Sequence, residues 1–190
     1  MELLINTLPH FNDVVTPAYI DGILKTKRWS DHGGDLIHFI EEELVEHEDY
    51  DHLQGLDIDS VTQHDDFRAF LLYWLGLRYN YVLRDLERTI TSVEITIYRA
   101  LYLTDDELQQ VKQGQKKEVG IYWGTEAVQA WNVDPNTVTD KKEYLITATV
   151  NIQNINWYET LISRFDYSNG DEEQEINLKN MPLPTIVAIN

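Results

Sequence analysis

Glu173 and Glu175, one residue apart, are the two side chains of this sequence best spaced to act together. They lie in Asp171-Glu172-Glu173-Gln174-Glu175-Ile176-Asn177-Leu178, where an acidic loop runs into alternating, strand-like sequence. In a strand, residues i and i+2 project from the same face, so both carboxylates can address one cleft. Tyr167-Ser168-Asn169-Gly170 supplies a loop ahead of them, and the strand supplies the rigidity that positions reacting groups. The alternative is a solvated acidic turn that starts a strand.

Two further places carry usable chemistry. Arg99 interrupts an apolar run, between Tyr98 and Ala100-Leu101. A strand arginine can fork onto a phosphate or a carboxylate, or pack its stem and leave its head in water. Trp123-Gly124-Thr125 joins a large aromatic, a glycine that permits close backbone approach and a hydroxyl at a helix start. Such a corner suits a flat ring beside an amide or phosphate. Trp123 can equally be ordinary core. All six histidines fall within residues 1–64. His38 and Glu42 have metal-site spacing on a helix, but no second cluster matches them, and no metal site is expected. No Walker loop, dinucleotide Gly-x-Gly-x-x-Gly or Gly-x-Ser-x-Gly occurs.

The elements that must position these residues fall into two parts. Residues 1–90 read as an acidic helical region and residues 91–190 as a β-rich one. Leu36, Ile37, Ile40, Leu44 and Val45 share a helical face over 35–45, with Asp35 as its cap. Residues 46–63 are polar and acidic and read as loop or short turns. From Asp65 to about Ile90, Phe67, Phe70, Leu71, Trp74, Leu75, Tyr81, Val82 and Leu86 follow helical spacing. After Thr91 the period becomes two. Strands are predicted over 93–101, 119–123, 143–155, around Glu175 and over 185–189. Thr104 to Glu107 has the pattern of a capping box. Short helices are predicted at 125–131, capped by Thr125, and at 156–162. The fold class is α+β, with helices first and a mostly antiparallel sheet system after.

Composition narrows the function. The 190 residues carry a net charge of −18 and no cysteine, which removes disulfides, thiolate zinc sites and cysteine nucleophiles. The acid is uneven: residues 1–66 hold 16 acids and 3 bases (−13), the rest 17 and 12 (−5). That field repels nucleic acid and anionic membranes and favours basic partners or plain solubility. The longest apolar run, residues 69–77, is too short to span a bilayer. No secretion signal is read at Met1-Glu2-Leu3-Leu4-Ile5, and a cytoplasmic protein is expected.

The order of the features carries a resemblance. An Arg-bearing strand (Ile97-Tyr98-Arg99-Ala100-Leu101), a middle strand ending in a hydroxyl (Tyr122-Trp123-Gly124-Thr125) and a late Glu-x-Glu (Glu173-Gln174-Glu175-Ile176) together resemble the ADP-ribosyltransferase family related to mono-ADP-ribosylating toxins. The likeness covers residues 93–190. The middle element departs from the family's Ser-Thr-Ser, since only Thr125 supplies a hydroxyl. The resemblance implies a split β-sheet core and NAD as substrate. Arg99 would hold a phosphate or ribose, Tyr122 or Trp123 would cover the nicotinamide, and Thr125 would line the site. Glu175 would stabilise the ribosyl cation and Glu173 would serve the acceptor. It implies a toxin-like or phage-encoded effector that modifies a macromolecule, protein arginine first, with a basic surface suited to the acidic helices. The alternative is a non-enzymatic acidic binding protein: a nucleic-acid mimic, an inhibitor or a degenerate transferase fold.

Overall fold

The computed structural model describes residues 7–29, 34–113, 122–125, 141–165, 174–179 and 185–190. Its first half is helical. Helix α1 spans Phe11–Val14 and α2 spans Pro17–Thr26. Thr16 caps α2 by accepting the Tyr19 N–H at 3.2 Å, and Pro17 sits at the first position, where its missing N–H costs nothing. Helix α3 (Leu36–Glu42) passes into a 3-10 turn at Leu44–Glu46. The acidic stretch then folds as a 3-10 segment, Glu48–Leu53, and a one-turn helix α4, Ile58–Thr62. Helix α5 runs from Asp65 to Thr89, as the apolar spacing predicts.

Two details of the predicted faces shift. Ile37 and Val45 are 41% and 55% exposed, while Leu36, Phe39 and Leu44 are fully buried. The α-helix stops at Glu42, and the tighter 3-10 winding turns Leu44 inward and Val45 out. On α5, Tyr81 is exposed, and the Arg78 guanidinium lies 5.1 Å from its ring centroid. The other seven predicted residues of that face are buried. They meet α3 through an aromatic cluster in which Phe39 and Trp74 stack edge to face at 4.7 Å and Trp29 lies 5.3 Å from Trp74. Trp74 Nε1 donates to Glu43 Oε2 at 3.1 Å, satisfying the polar atom of a nearly buried ring.

The second half is the sheet. Strand β1 (Glu94–Leu103) is followed by helix α6 (Asp105–Lys112). The predicted capping box forms: Thr104 Oγ1 accepts the Glu107 N–H at 3.2 Å and Glu107 Oε2 accepts the Thr104 N–H at 2.9 Å. Then come β2 (Tyr122–Gly124), β3 (Lys142–Asn151), helix α7 (Trp157–Phe165), β4 (Glu175–Asn177) and β5 (Thr185–Ile189). β3 ends earlier than predicted because Asn151 accepts the Gln153 N–H and starts a 3-10 turn. The strand order is β4-β2-β1-β3-β5, antiparallel throughout. Alternation puts Ile95, Ile97, Ile146, Ala148 and Val150 on one buried face. The fold is α+β, and buried apolar side chains from Leu8 to Leu178 form one continuous cluster through helices and sheet. Among the described residues no helix is long and apolar enough to cross a membrane.

Candidate functional site

The three strands that carry the candidate chemistry are hydrogen-bonded neighbours. β4 pairs with β2, and β2 pairs with β1, although residue 99 and residue 175 lie far apart in sequence. One row of paired residues crosses the whole sheet: Ala188, Thr147, Tyr98, Gly124 and Glu175. Paired residues share a face, so Tyr98 and Glu175 project the same way from either side of Gly124. Two strand spacings separate them, about 10 Å between backbones.

Arg99 lies one residue out of this row. It pairs with Ile146, on the face of Ile95 and Ile97, and Trp123 pairs with Ile176 on the corresponding side of β2 and β4. Successive strand residues point to opposite faces, so the register sets Arg99 and Glu175 on opposite sides of the sheet. Trp123 is only 2% exposed and belongs to the buried cluster. Stacking a nicotinamide on it would require uncovering it. Tyr122 pairs with Asn177 through its backbone. Glu173, residues 126–131 of the helix predicted at 125–131 and the loop 167–170 lie outside the described residues.

β4 is held from both sides, and this fixes Glu175. On the edge away from β2, Asn177 N–H donates to Thr160 Oγ1 at 3.0 Å, Asn156 N–H to Asn177 O at 2.8 Å and Lys179 N–H to Asn154 O at 2.8 Å. An edge strand is thereby closed by α7 and the turn before it. Asn177 is 1% exposed. Its Nδ2 donates to Ser163 Oγ at 2.8 Å and to Glu175 Oε1 at 3.3 Å, so α7 orients the half-buried carboxylate through an intervening amide. The i, i+2 rule that links Glu173 to Glu175 extends to Asn177, and it is the signal by which the sequence marks that residue too.

Gln174, between the two glutamates, has φ of 47°, in the left-handed region. Thr125 holds it there. Thr125 N–H donates to Gln174 O at 3.3 Å, and Thr125 Oγ1 donates to Gln174 Oε1 at 2.8 Å. The middle hydroxyl thus bonds to the residue beside the carboxylate. Left-handed backbone costs a non-glycine residue about 1–2 kcal/mol, and a β-branched side chain there is worse. Gln174→Val is therefore expected to lower the urea midpoint by the equivalent of at least about 1 kcal/mol. Gln174→Gly, which exchanges strain for chain entropy and one lost hydrogen bond, should stay within about 1 kcal/mol of the parent.

On the face of Tyr98 lies a cavity of about 280 Å³, lined by the hydroxyl-bearing residues Thr89, Thr91, Ser92, Thr96, Tyr98 and Thr125 together with Ile90 and Ile95. Glu94 completes the polar lining, and its carbonyl accepts the Ser92 hydroxyl. A wall of hydroxyls with a carboxylate suits a sugar or another polyol better than an apolar ligand. The lining contains no lysine or arginine among the described residues. Comparison with known proteins finds no matching family model, curated protein or solved structure.

Proposed function

We propose that this protein is an NAD-dependent mono-ADP-ribosyltransferase. The bond between ribose C1′ and the nicotinamide nitrogen breaks, and its electron pair leaves with nicotinamide. The ribose becomes oxocarbenium-like, and the fixed Glu175 carboxylate stabilises that charge. An acceptor nitrogen then attacks C1′ and gives up its proton to a base, the role the Glu-x-Glu pattern assigns to Glu173. The acceptor is a macromolecule, protein arginine first, drawn by the −13 charge of residues 1–66.

One observation carries the reading. The three motif-bearing strands are adjacent in the sheet, and Glu175 shares a face with Tyr98 across a side-chain-free glycine. The cavity on that face is lined by hydroxyl-bearing residues, Thr125 among them, that support a ribose there, although Glu175 is not one of its lining residues. The dinucleotide phosphates, which the resemblance gives to Arg99, are the part of the reading that the register opposes.

A second reading has its own support. An acidic, non-enzymatic binding protein needs no convergence of Arg99 with Glu175, and the two face opposite ways. Its charge of −18 would mimic a polyanion toward a basic partner. One experiment divides the two. The protein is incubated with NAD labelled in its ADP-ribose moiety and a cell lysate, and binding of NAD alone is followed by calorimetry. The transferase reading expects heat with NAD and label on lysate protein. Absence of both leaves the binding-protein reading.

A further inference from the structure

We propose that His52, His64 and Asp66 form a binding site for a zinc-class divalent cation, independent of the Glu175 site. The three come from two segments. His52 lies in the 3-10 segment Glu48–Leu53, His64 is the N-cap of α5, and Asp66 is in the first turn of α5. His52 Nε2 stands 2.9 Å from Asp66 Oδ2, and His64 Nδ1 stands 3.8 Å from the same oxygen. One ligand atom from each residue falls within 4.8 Å of the other two. The ring centroids of the two histidines are 5.5 Å apart.

These spacings are close to what a metal requires. With bonds of about 2.0–2.1 Å in a tetrahedron, neighbouring ligand atoms stand about 3.3 Å apart. The two distances to the carboxylate bracket that value. His52 and Asp66 are exposed and His64 half-buried, so side-chain rotation alone can close the remaining gap.

The chemistry of the donors selects the ion. Two imidazoles and one carboxylate suit zinc, nickel or cobalt, whereas magnesium and calcium prefer all-oxygen shells. His64 Nδ1 accepts the Asp66 N–H at 3.3 Å. At that length the bond is weak enough to yield Nδ1 to a metal. The positive end of α5 opposes a cation there, but Asp65 and Asp66 in its first turn and the −13 charge of residues 1–66 offset it. Three protein ligands leave at least one position for water. Bound metal would pin the segment carrying residues 48–53 to the start of α5, closing the loop that contains α4.

The spacing in sequence hides this site. His52-x11-His64-x-Asp66 has no helical i, i+4 period, and the short turns around α4 bring the ends together. His38, which does have a helical acid partner, lies 3.9 Å from Glu41, and both side chains are largely exposed.

The test is titration of the full chain, stripped with chelator, with zinc chloride at pH 7.5. The expected result is one zinc per chain. Free zinc about a hundredfold above Kd should raise Tm by roughly 5 °C or more. His52→Gln and His64→Gln should each weaken binding at least tenfold, and His38→Gln should change nothing. Proton NMR of the unmodified protein gives a readout free of folding effects: zinc should shift the ring signals of His52 and His64 before those of the other four histidines. Magnesium chloride should do none of this. A parent protein that takes up no zinc at millimolar concentration overturns the proposal, as does equal affinity in the parent and the His52→Gln variant.

Discussion

Glu175→Gln is expected to lower NAD-dependent labelling by about 10²–10³-fold, the loss that follows removal of one preorganised charge-stabilising group. The change is close to isosteric. Asn177 Nδ2, which now donates to Glu175 Oε1, can donate to the glutamine oxygen at the same place. β4 keeps its backbone bonds to β2 and to the turn before α7. Circular dichroism and Tm should therefore match the parent, and NAD should still bind, because the carboxylate acts on charge that develops only as nicotinamide leaves. Labelling that survives in the variant removes Glu175 from the reaction. Arg99→Lys, read by NAD affinity in the same assay, asks a separate question. A tenfold or greater rise in Kd would put the guanidinium on the dinucleotide in spite of the register. An unchanged Kd would assign it to the face of Ile97 and Trp123.

What the sequence reveals and conceals has a simple physical pattern. Long elements with an uninterrupted period were legible: α5 from its 3.6-residue apolar spacing, β1 and β3 from alternation, α6 from its capping box. Their order predicts a helical part followed by an antiparallel sheet, and the described strands form one. Over 35–45 the spacing allows two neighbouring faces: within α3 the buried side is Leu36 and Phe39 rather than Ile37, and beyond Glu42 the change to 3-10 winding turns Val45 out. The Glu175 strand is legible from the alternation of Glu175-Ile176-Asn177-Leu178. Its neighbours were not, since pairing of β4 with β2 depends on contacts some fifty residues apart. The order of the motifs does not distinguish a register that puts Arg99 with Glu175 from one that puts Tyr98 there. A shift of one residue exchanges the two faces, and only the buried side, here Ile95, Ile97, Ile146 and Ala148, decides between them. Arg99 alternates in phase with those isoleucines, so the apolar face that fixes the register also fixes the side on which the arginine stands.

The stability of the site rests on a charge outside it. Arg164, on α7, is 1% exposed, and its Nη2 lies 2.6 Å from Asp85 Oδ2 of α5. Arg78 of α5 adds a second tie, donating from Nη2 to the Arg164 carbonyl at 3.2 Å. α7 is also the helix whose Thr160 and Ser163 anchor Asn177, so the contact of α5 with α7 carries through to Glu175. Asp85→Ala is expected to destabilise the protein by about 3–5 kcal/mol, because the buried guanidinium loses the Asp85 carboxylate in a place that water does not reach. In thermal unfolding this corresponds to a drop in Tm of roughly 6 °C or more. Arg164→Met should cost less than Asp85→Ala. It keeps the unbranched stem in the core, removes the buried charge, and leaves behind a carboxylate that is 26% exposed and able to hydrate. The order of the two variants is the discriminating quantity. Equal losses, or a larger loss for Arg164→Met, would mean that packing of the arginine stem rather than its charge holds α7 to α5.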